Sequence, residues 1–335
     1  MYKIGVIGLG QIAYSIDKDP NRKIIWSHIK AYQNIEKCQI LAICDINLST
    51  VENVQKECNI KNGYTDYNKM LDENEFDIVS ICTPIQTHYE IVKKCIKSGV
   101  KAIFCEKTLS YSLDEAEEML KLSKENNIIF GVNYILRWDI FNKRIKELLE
   151  KNTIGKIYTM VGYGATALYT STSHLIDLMV YFANSEVDWV IGRTQKDFVR
   201  NVHGIEDCGG IGTIKFKSGI FGFIKGTSTS PFKYMLELDI LGENGRIKLY
   251  NNGLSYDVYQ YSKNSHTAGA NYEDLILVET HNKNNENERM IDAILDIIKC
   301  IEVGGQPLSN ICTAIESIKI IEGIKKSDKE DLIKF

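Results

Sequence analysis

The stretch KIGVIGLGQIA (3–13) decides how the rest of the chain is read. An apolar run of strand character leads straight into Gly8, Gly10 and Ala13, the spacing G-x-G-x-x-A. Gly8 allows a tight turn, Gly10 lets a pyrophosphate come up against the backbone, and Ala13 lets the following helix pack closely. Gln11 and Ile12 lie between them, at the helix N-terminus that would meet the phosphates. Short glycine patterns arise by chance, and it is the strand directly before this one that gives it weight.

Outward from this loop the same alternation repeats. Apolar runs QILAIC (39–44), DIVSIC (77–82), KAIFC (101–105) and NIIFGV (127–132) are separated by amphipathic segments such as HYEIVKKCIKSG and SLDEAEEMLKLSKENN. Runs this apolar, with helices between them, imply a parallel sheet covered on both faces. Residues 1–130 therefore read as an α/β, doubly wound dinucleotide-binding (Rossmann) domain. Residues 131–335 read as an α+β domain for substrate binding and oligomerisation. Its strands are expected at 156–164, 187–193, 210–217, 219–226, 234–241 and 246–250. KFKSGIFGF (215–223) and LGENGRIKL (241–249) carry hairpin turn signals, so this open sheet is mostly antiparallel. Helices are expected at 173–183, 286–303 and 309–326, the last free to pack back on the first domain. The polar, Asn-rich residues 262–288 read as a long loop.

The second test of the glycine loop is an acid at the end of the second strand. Asp45 stands there, able to accept from the 2′- and 3′-hydroxyls of an adenosine ribose. Ile46-Asn47-Leu48 offer no base for a 2′-phosphate, so NAD is favoured over NADP. One feature is out of pattern: Asp45 lies 35 residues after Gly10, against the usual ~20. The surplus is YSIDKDPNRKIIW (14–26). Either Lys18, Arg22 and Lys23 reach a substrate phosphate and Trp26 lines a pocket, or the segment is a solvated insertion.

Composition excludes several classes. A net charge of −4 and a pI near 6.0 leave no footprint for nucleic acid or an anionic membrane. No segment approaches the ~18 uninterrupted apolar residues of a membrane span, and the first residues are too briefly apolar for a signal peptide. These features point to the cytoplasm. The nine cysteines form no C-x-x-C pair, and Cys44, Cys82 and Cys105 close apolar runs, so reduced structural thiols are expected. There is no H-E-x-x-H and no Cys/His cluster at zinc spacing, so no metal is expected.

Two positions carry candidate chemistry. Lys107 follows an apolar strand at its carboxyl end, the rim where ligands collect on an open parallel sheet. At its reference pKa of about 10.4 a lysine shuttles protons poorly, but a desolvated pocket or a nearby cationic nicotinamide lowers that value. A solvated loop lysine is the alternative. In TSTSHLIDLMV (170–180), His174 and Asp177 share one helix face, behind a Ser/Thr run that reads as an N-cap. Asp177 is placed to hold the imidazole in one tautomer, although a histidine on an apolar helix is more often simply packed.

Taken in order, these pieces resemble the glucose–fructose oxidoreductase and inositol dehydrogenase family of NAD(P)-dependent oxidoreductases, over nearly the whole chain. GLGQIA (8–13) looks like the family's dinucleotide loop, and CTPIQTHYE (82–90) is similar to its C-T-P-x-x-x-H segment beside the cofactor. CEKTLS matches its E-K-P, GVNYILRWD (131–139) its N-x-x-R-[FW], SHLIDL its H-x-x-D, and QPLSNICTAIESIKIIEGIKKS its C-terminal helix. The resemblance implies that Thr83, Pro84, His88, Glu106 and Lys107 lie by the cofactor and that Lys107 and His174 are catalytic. It implies that Arg137, Trp138, Tyr169, Thr170 and Asp177 are substrate-side candidates. Two departures stand out: Thr108 replaces the proline, and Thr170 replaces an aspartate many relatives carry four residues before the histidine. Tyr163 and Tyr169 are near enough in sequence to substitute. The implied activity is hydride transfer between nicotinamide and a hydroxyl or keto carbon of a sugar, inositol or sugar nucleotide, in a homodimer or homotetramer. A non-catalytic NAD/sugar-binding regulator and a glycoside-cleaving enzyme using NAD transiently are the alternatives.

Overall fold

The computed structural model describes residues 1–202, 204–226, 235–262, 273–282, 287–328 and 332–335. Contacts divide the chain into two units: Met1–Trp138 with Glu286–Ile318, and Asp139–Asn285 with Lys319–Phe335.

In the first unit the strands are β1 (Tyr2–Ile7), β2 (Cys38–Cys44), β3 (Asn62–Tyr64), β4 (Ile78–Ile81), β5 (Ala102–Cys105) and β6 (Ile129–Val132). Among the described residues they form one parallel sheet in the order β3-β2-β1-β4-β5-β6. Side chains alternate between two buried faces. Val79, Ile81, Ile103 and Cys105 enter one core, and Ile78, Ala102 and Phe104 enter the other. Both faces are dry, which is why these strands read as unbroken apolar runs. Helices α1 (His28–Gln33), α2 (Leu48–Cys58) and α8 (Arg289–Val303) supply the second core; α3 (Tyr67–Glu73), α4 (His88–Lys97), α5 (Leu113–Glu125) and the start of α9 (Ile311–Lys326) supply the first. The order reverses between β1 and β4, so a crevice opens at their carboxyl ends, where Gly8 and Thr83 follow.

The surplus residues after the glycine loop are spliced into a helix. His28 N–H donates to Ile12 O (3.1 Å) and Ile29 N–H to Ala13 O (3.0 Å), so the turn at 10–13 continues in space as α1. Without residues 14–27, Gly10 to Asp45 is 21 residues, close to the ~20 of the dinucleotide fingerprint. The loop is closed by Asp17, whose carboxylate accepts from Trp26 N (2.9 Å), Ser27 N (2.9 Å) and Ser27 Oγ (2.7 Å). Ile25 N–H donates to Glu288 (2.8 Å), Lys18 pairs with Glu57 (2.9 Å), and Trp26 lies between the guanidinium groups of Arg22 and Arg289. Lys18, Ile25 and Trp26 thus tie the loop to its own unit, while Arg22 packs within the loop.

The second unit contains α6 (Ile140–Glu150), α7 (Thr172–Ala183), β7 (Ile157–Gly164), β8 (Val187–Val202), β9 (Ile205–Phe216), β10 (Phe221–Gly226), β11 (Leu236–Gly242), β12 (Gly245–Tyr250), β13 (Ser255–Ser262), β14 (Asp274–His281) and β15 (Ile333–Lys334). The strands make a mostly antiparallel sheet, β14-β13-β12-β11-β7-β10-β9-β8-β15, with β7 and β10 parallel. Both signalled hairpins form, β9–β10 and β11–β12. The long loop expected at 262–288 needs correction: Asp274–His281 is a strand paired with β13. Its LILVET run carries the β-branched residues that suit a strand, but it is short and set in polar, Asn-rich sequence, and pairing with β13 completes it. Residues 263–272 and 283–286 of that expectation, and 234 of the strand expected at 234–241, lie outside the described residues. Strand β8 also runs past 193 to Val202, because β9 pairs with it again at Arg200–Val202 after a break in register beyond Gln195.

Replacing Asp17 with alanine is expected to lower the stability of the chain by about 1–2 kcal/mol, since three donors lose one acceptor. Urea unfolding checks this; an unchanged midpoint would show that the loop is not held by Asp17.

Candidate functional site

The cofactor cradle is built by backbone geometry. Gly8 sits at φ +86°, and a Cβ there would lie 2.8 Å from the backbone of Cys82 and Thr83, so only glycine fits between β1 and β4. A Cβ on Gly10 would meet nothing within 4 Å, leaving open space over the loop. Ala13 is fully buried, Ile12 half-buried and Gln11 exposed. Asp45 Oδ2 accepts from Leu9 N (2.8 Å) and Oδ1 from Asn47 N (3.0 Å). Each oxygen keeps a further lone pair, so the carboxylate can brace the glycine loop and still accept from two ribose hydroxyls. Ile46 beside it is 95% exposed, an apolar surface suited to a base. These residues fit an NAD molecule.

Thr83 and Pro84 follow β4, half-buried and exposed respectively, and Thr87 Oγ1 donates to Thr83 Oγ1 at 2.8 Å. His88 opens α4 and is 1% exposed. Its Nε2 lies 2.9 Å from Thr83 O and its Nδ1 3.1 Å from Leu109 O, which ties the Thr83 turn to the loop carrying Lys107. A neutral ring donates to one of these carbonyls only.

Lys107 leaves β5 half-buried, and the Lys107–Thr108 peptide bond is cis. Beside it, Glu106 is buried at 8% exposure. Its Oε1 accepts from His28 Nε2 (3.0 Å) and Asn133 Nδ2 (2.6 Å), and its Oε2 from the backbone N–H of Lys107 (3.3 Å). Burial pushes this carboxyl up, but the His28 and Asn133 bonds and the Lys107 charge outweigh it and hold it below the usual range. Arg137 and Trp138 are 2% and 1% exposed. Arg137 donates to Leu308 O (3.2 Å) and Trp138 Nε1 to Asp296 (3.0 Å), both within this unit.

In the second unit α7 carries His174, half-buried, and one turn later Asp177, 1% exposed. The expected Ser/Thr run does supply the N-cap residue, Ser171, but it makes no side-chain cap bond. Instead the hydroxyls of the first turn reach backward, Thr172 to Thr166 O (2.6 Å) and Ser173 to Thr170 O (2.8 Å), binding the helix to the turn before it. Sequence reading missed Asp207. This β9 residue is 1% exposed and accepts from Tyr169 N (3.0 Å) and Thr170 Oγ1 (2.5 Å). A carboxylate therefore meets Thr170, but it arrives from 37 residues along the chain, and no local pattern signals it. Lys325 lies over the Tyr169 ring at 4.8 Å. All nine cysteines are free thiols, and burial pushes Cys44 up to about 12. No described helix is long and apolar enough to cross a membrane.

A family profile described as "Oxidoreductase family, NAD-binding Rossmann fold" matches residues 2–134, and its companion, "Oxidoreductase family, C-terminal alpha/beta domain", matches residues 146–333. The chain is 26% identical over 261 residues to a myo-inositol 2-dehydrogenase of Thermotoga maritima, covering 73% of this chain and 74% of that one. It is 24% identical over 263 residues to a scyllo-inositol 2-dehydrogenase (NAD(+)) of Bacillus subtilis, covering 73% and 72%. The WlbA dehydrogenase from Bordetella pertussis, solved in complex with NADH and UDP-GlcNAcA, shares the fold with a TM-score of 0.77 at 17% identity, covering 100% of this chain and 98% of that one.

Burial pushes the His88 imidazole below its ordinary value of 6.5, against the pull of the two carbonyls and the Glu106 charge. Below about 6.5 the unfolded chain binds a proton at this residue while the folded chain resists it, so stability falls as pH drops through that window. The loss in urea stability between about pH 7.5 and about pH 5 is expected to be smaller in His88→Gln than in the wild type. An equal loss in both would take His88 out of the cause.

Proposed function

We propose, since the chain belongs to the oxidoreductase family with an NAD-binding Rossmann fold and its C-terminal alpha/beta domain, that it is an NAD-dependent dehydrogenase acting on a secondary hydroxyl of a sugar, inositol or sugar nucleotide. The observation that carries this reading is the loop after β5. Lys107 leaves the sheet at the same rim as the glycine loop and the Thr83 turn, its backbone N–H held by a buried carboxylate. The curated relatives named as inositol dehydrogenases support the polyol class, and the neighbour solved with UDP-GlcNAcA supports including sugar nucleotides.

When bound, NAD supplies the hydride acceptor; the proton and the oxygen fall to the chain's own side chains. His174 takes the hydroxyl proton, and the Lys107 ammonium stabilises the oxygen as the carbinol becomes a carbonyl. Thr170, whose hydroxyl donates to Asp207, is a substrate-side residue. Tyr169 and Asp177 bind substrate or orient His174. Asp45 and the lack of a base at 46–48 select NAD over NADP.

The partner is a second copy of the chain. On the sheet face carrying Phe221, Phe223 and Lys225, the paired positions on β7 and β9 include Val161, Tyr163, Ile211 and Lys215. Ile211 is 51% and Phe223 43% exposed. Beyond β7, Glu237 and Asp239 lie opposite Tyr163 and Val161. Asp239 is paired with Arg246 (2.8 Å), so Glu237 is the carboxylate that faces Lys225 of a second copy across a two-fold axis through the apolar centre.

Lys107→Met is expected to lower turnover at least ~100-fold while the Kd for NAD stays within about threefold. Steady NADH formation with a polyol and sugar-nucleotide panel reads it, and also separates a dehydrogenase from an enzyme that returns its hydride each cycle. Unchanged turnover would remove Lys107 from the chemistry. Phe223→Asp is expected to yield a monomer by light scattering, and Lys225→Glu with Glu237→Lys to restore what either weakens alone. A wild type that runs at its chain mass of 38.1 kDa would overturn the interface.

A further inference from the structure

Behind the loop that carries Lys107 runs a row of buried polar side chains for which the reaction has no use. His28 is fully buried, its ring 4.8 Å from that of Phe104. Nε2 lies 3.0 Å from Glu106 Oε1, and Nδ1 lies 3.1 Å from Ser80 Oγ. Ser80 Oγ in turn lies 2.9 Å from the hydroxyl of Tyr32, one turn along α1. Ser80 is 0% and Tyr32 1% exposed.

The hydrogens fit this row in one direction. Tyr32 donates to Ser80, Ser80 donates to His28 Nδ1, and His28 Nε2–H donates to Glu106, so each hydrogen finds an acceptor and the ring carries one proton. Run the other way, the ring needs two protons and the Tyr32 hydrogen has no acceptor in the row. Burial pushes the Tyr32 phenol well above its ordinary value, which keeps it a donor.

Both ends of His28 are committed. Its side chain bonds the carboxylate that receives the Lys107 N–H, and its backbone N–H bonds Ile12 O in the glycine loop. Asn133 Nδ2, at 2.6 Å, fixes the same carboxylate oxygen from β6. We propose that His28 is a positioning residue: acting through Glu106, it sets the direction in which Lys107 leaves β5 and ties that residue to the dinucleotide loop. The inference rests on the reading of Lys107 as the catalytic amine.

The test uses the full-length protein with NAD and the variants His28→Leu, His28→Gln and Glu106→Gln. His28→Leu is expected to lower kcat ~100-fold with the KM for NAD within about twofold, and to displace the pH profile of kcat. His28→Gln, which keeps a donor facing Glu106, is expected to recover at least ~10-fold of that loss. A second readout needs no turnover: after reductive methylation with 13C-formaldehyde, the Lys107 methyl signal, assigned by its absence in Lys107→Arg, titrates at a displaced midpoint in His28→Leu and close to wild type in His28→Gln. A His28→Leu protein that folds, binds NAD and keeps the wild-type kcat and Lys107 midpoint overturns the proposal. If His28→Leu does not fold, Glu106→Gln decides in the same way, unchanged values again overturning it. If the wild type turns over no substrate, the dehydrogenase reading fails, and the Lys107 midpoint alone decides the positioning role.

Discussion

A carboxylate taken out of water must be ringed by donors, and Glu106 is such a group. Leaving it unpaired would cost several kcal/mol, on the order of the whole stability of a domain. Its donors come from three separate parts of the sequence: His28 in α1, Asn133 after β6, and the backbone of Lys107. That requirement brings α1 against the carboxyl ends of β4 and β5, and it holds the residue after Glu106 at the rim of the sheet. The splice that returns the chain from residue 27 to the turn at Ala13 is what delivers His28 there.

The same logic governs the cofactor loop. Gly8 has no side chain because the backbone of β4's exit leaves no room for one, and Asp45 reaches under the loop to take the Leu9 N–H. One carboxylate thus shapes the cradle and keeps lone pairs for the ribose.

In the second unit a further carboxylate organises the turn before the histidine helix. Asp207 accepts a backbone and a hydroxyl hydrogen from Tyr169 and Thr170, while Thr172 and Ser173 bond back to the same turn. Thr170 is a departure from the family pattern in sequence, yet in three dimensions its hydroxyl is joined to an acid on β9.

Much was legible in the sequence because it depends on local pattern. Strands buried on both faces must be apolar throughout, a tight turn between adjacent strands must be glycine, and Ser-Gly and Asn-Gly dipeptides mark hairpins whatever surrounds them. From these came the doubly wound sheet, the cofactor loop with Asp45, the antiparallel second sheet and the place of Lys107 at a strand end. Tertiary structure alone decided the rest. It showed that residues 14–27 leave a helix which then resumes, that Trp138 is core, that DLILVETH is a strand, that His28 bonds Glu106 and that Asp207 bonds Thr170. Each of these rests on a hydrogen bond or packing contact between residues distant in the chain. The burial that makes such contacts strong leaves no mark on the residues beside them in sequence.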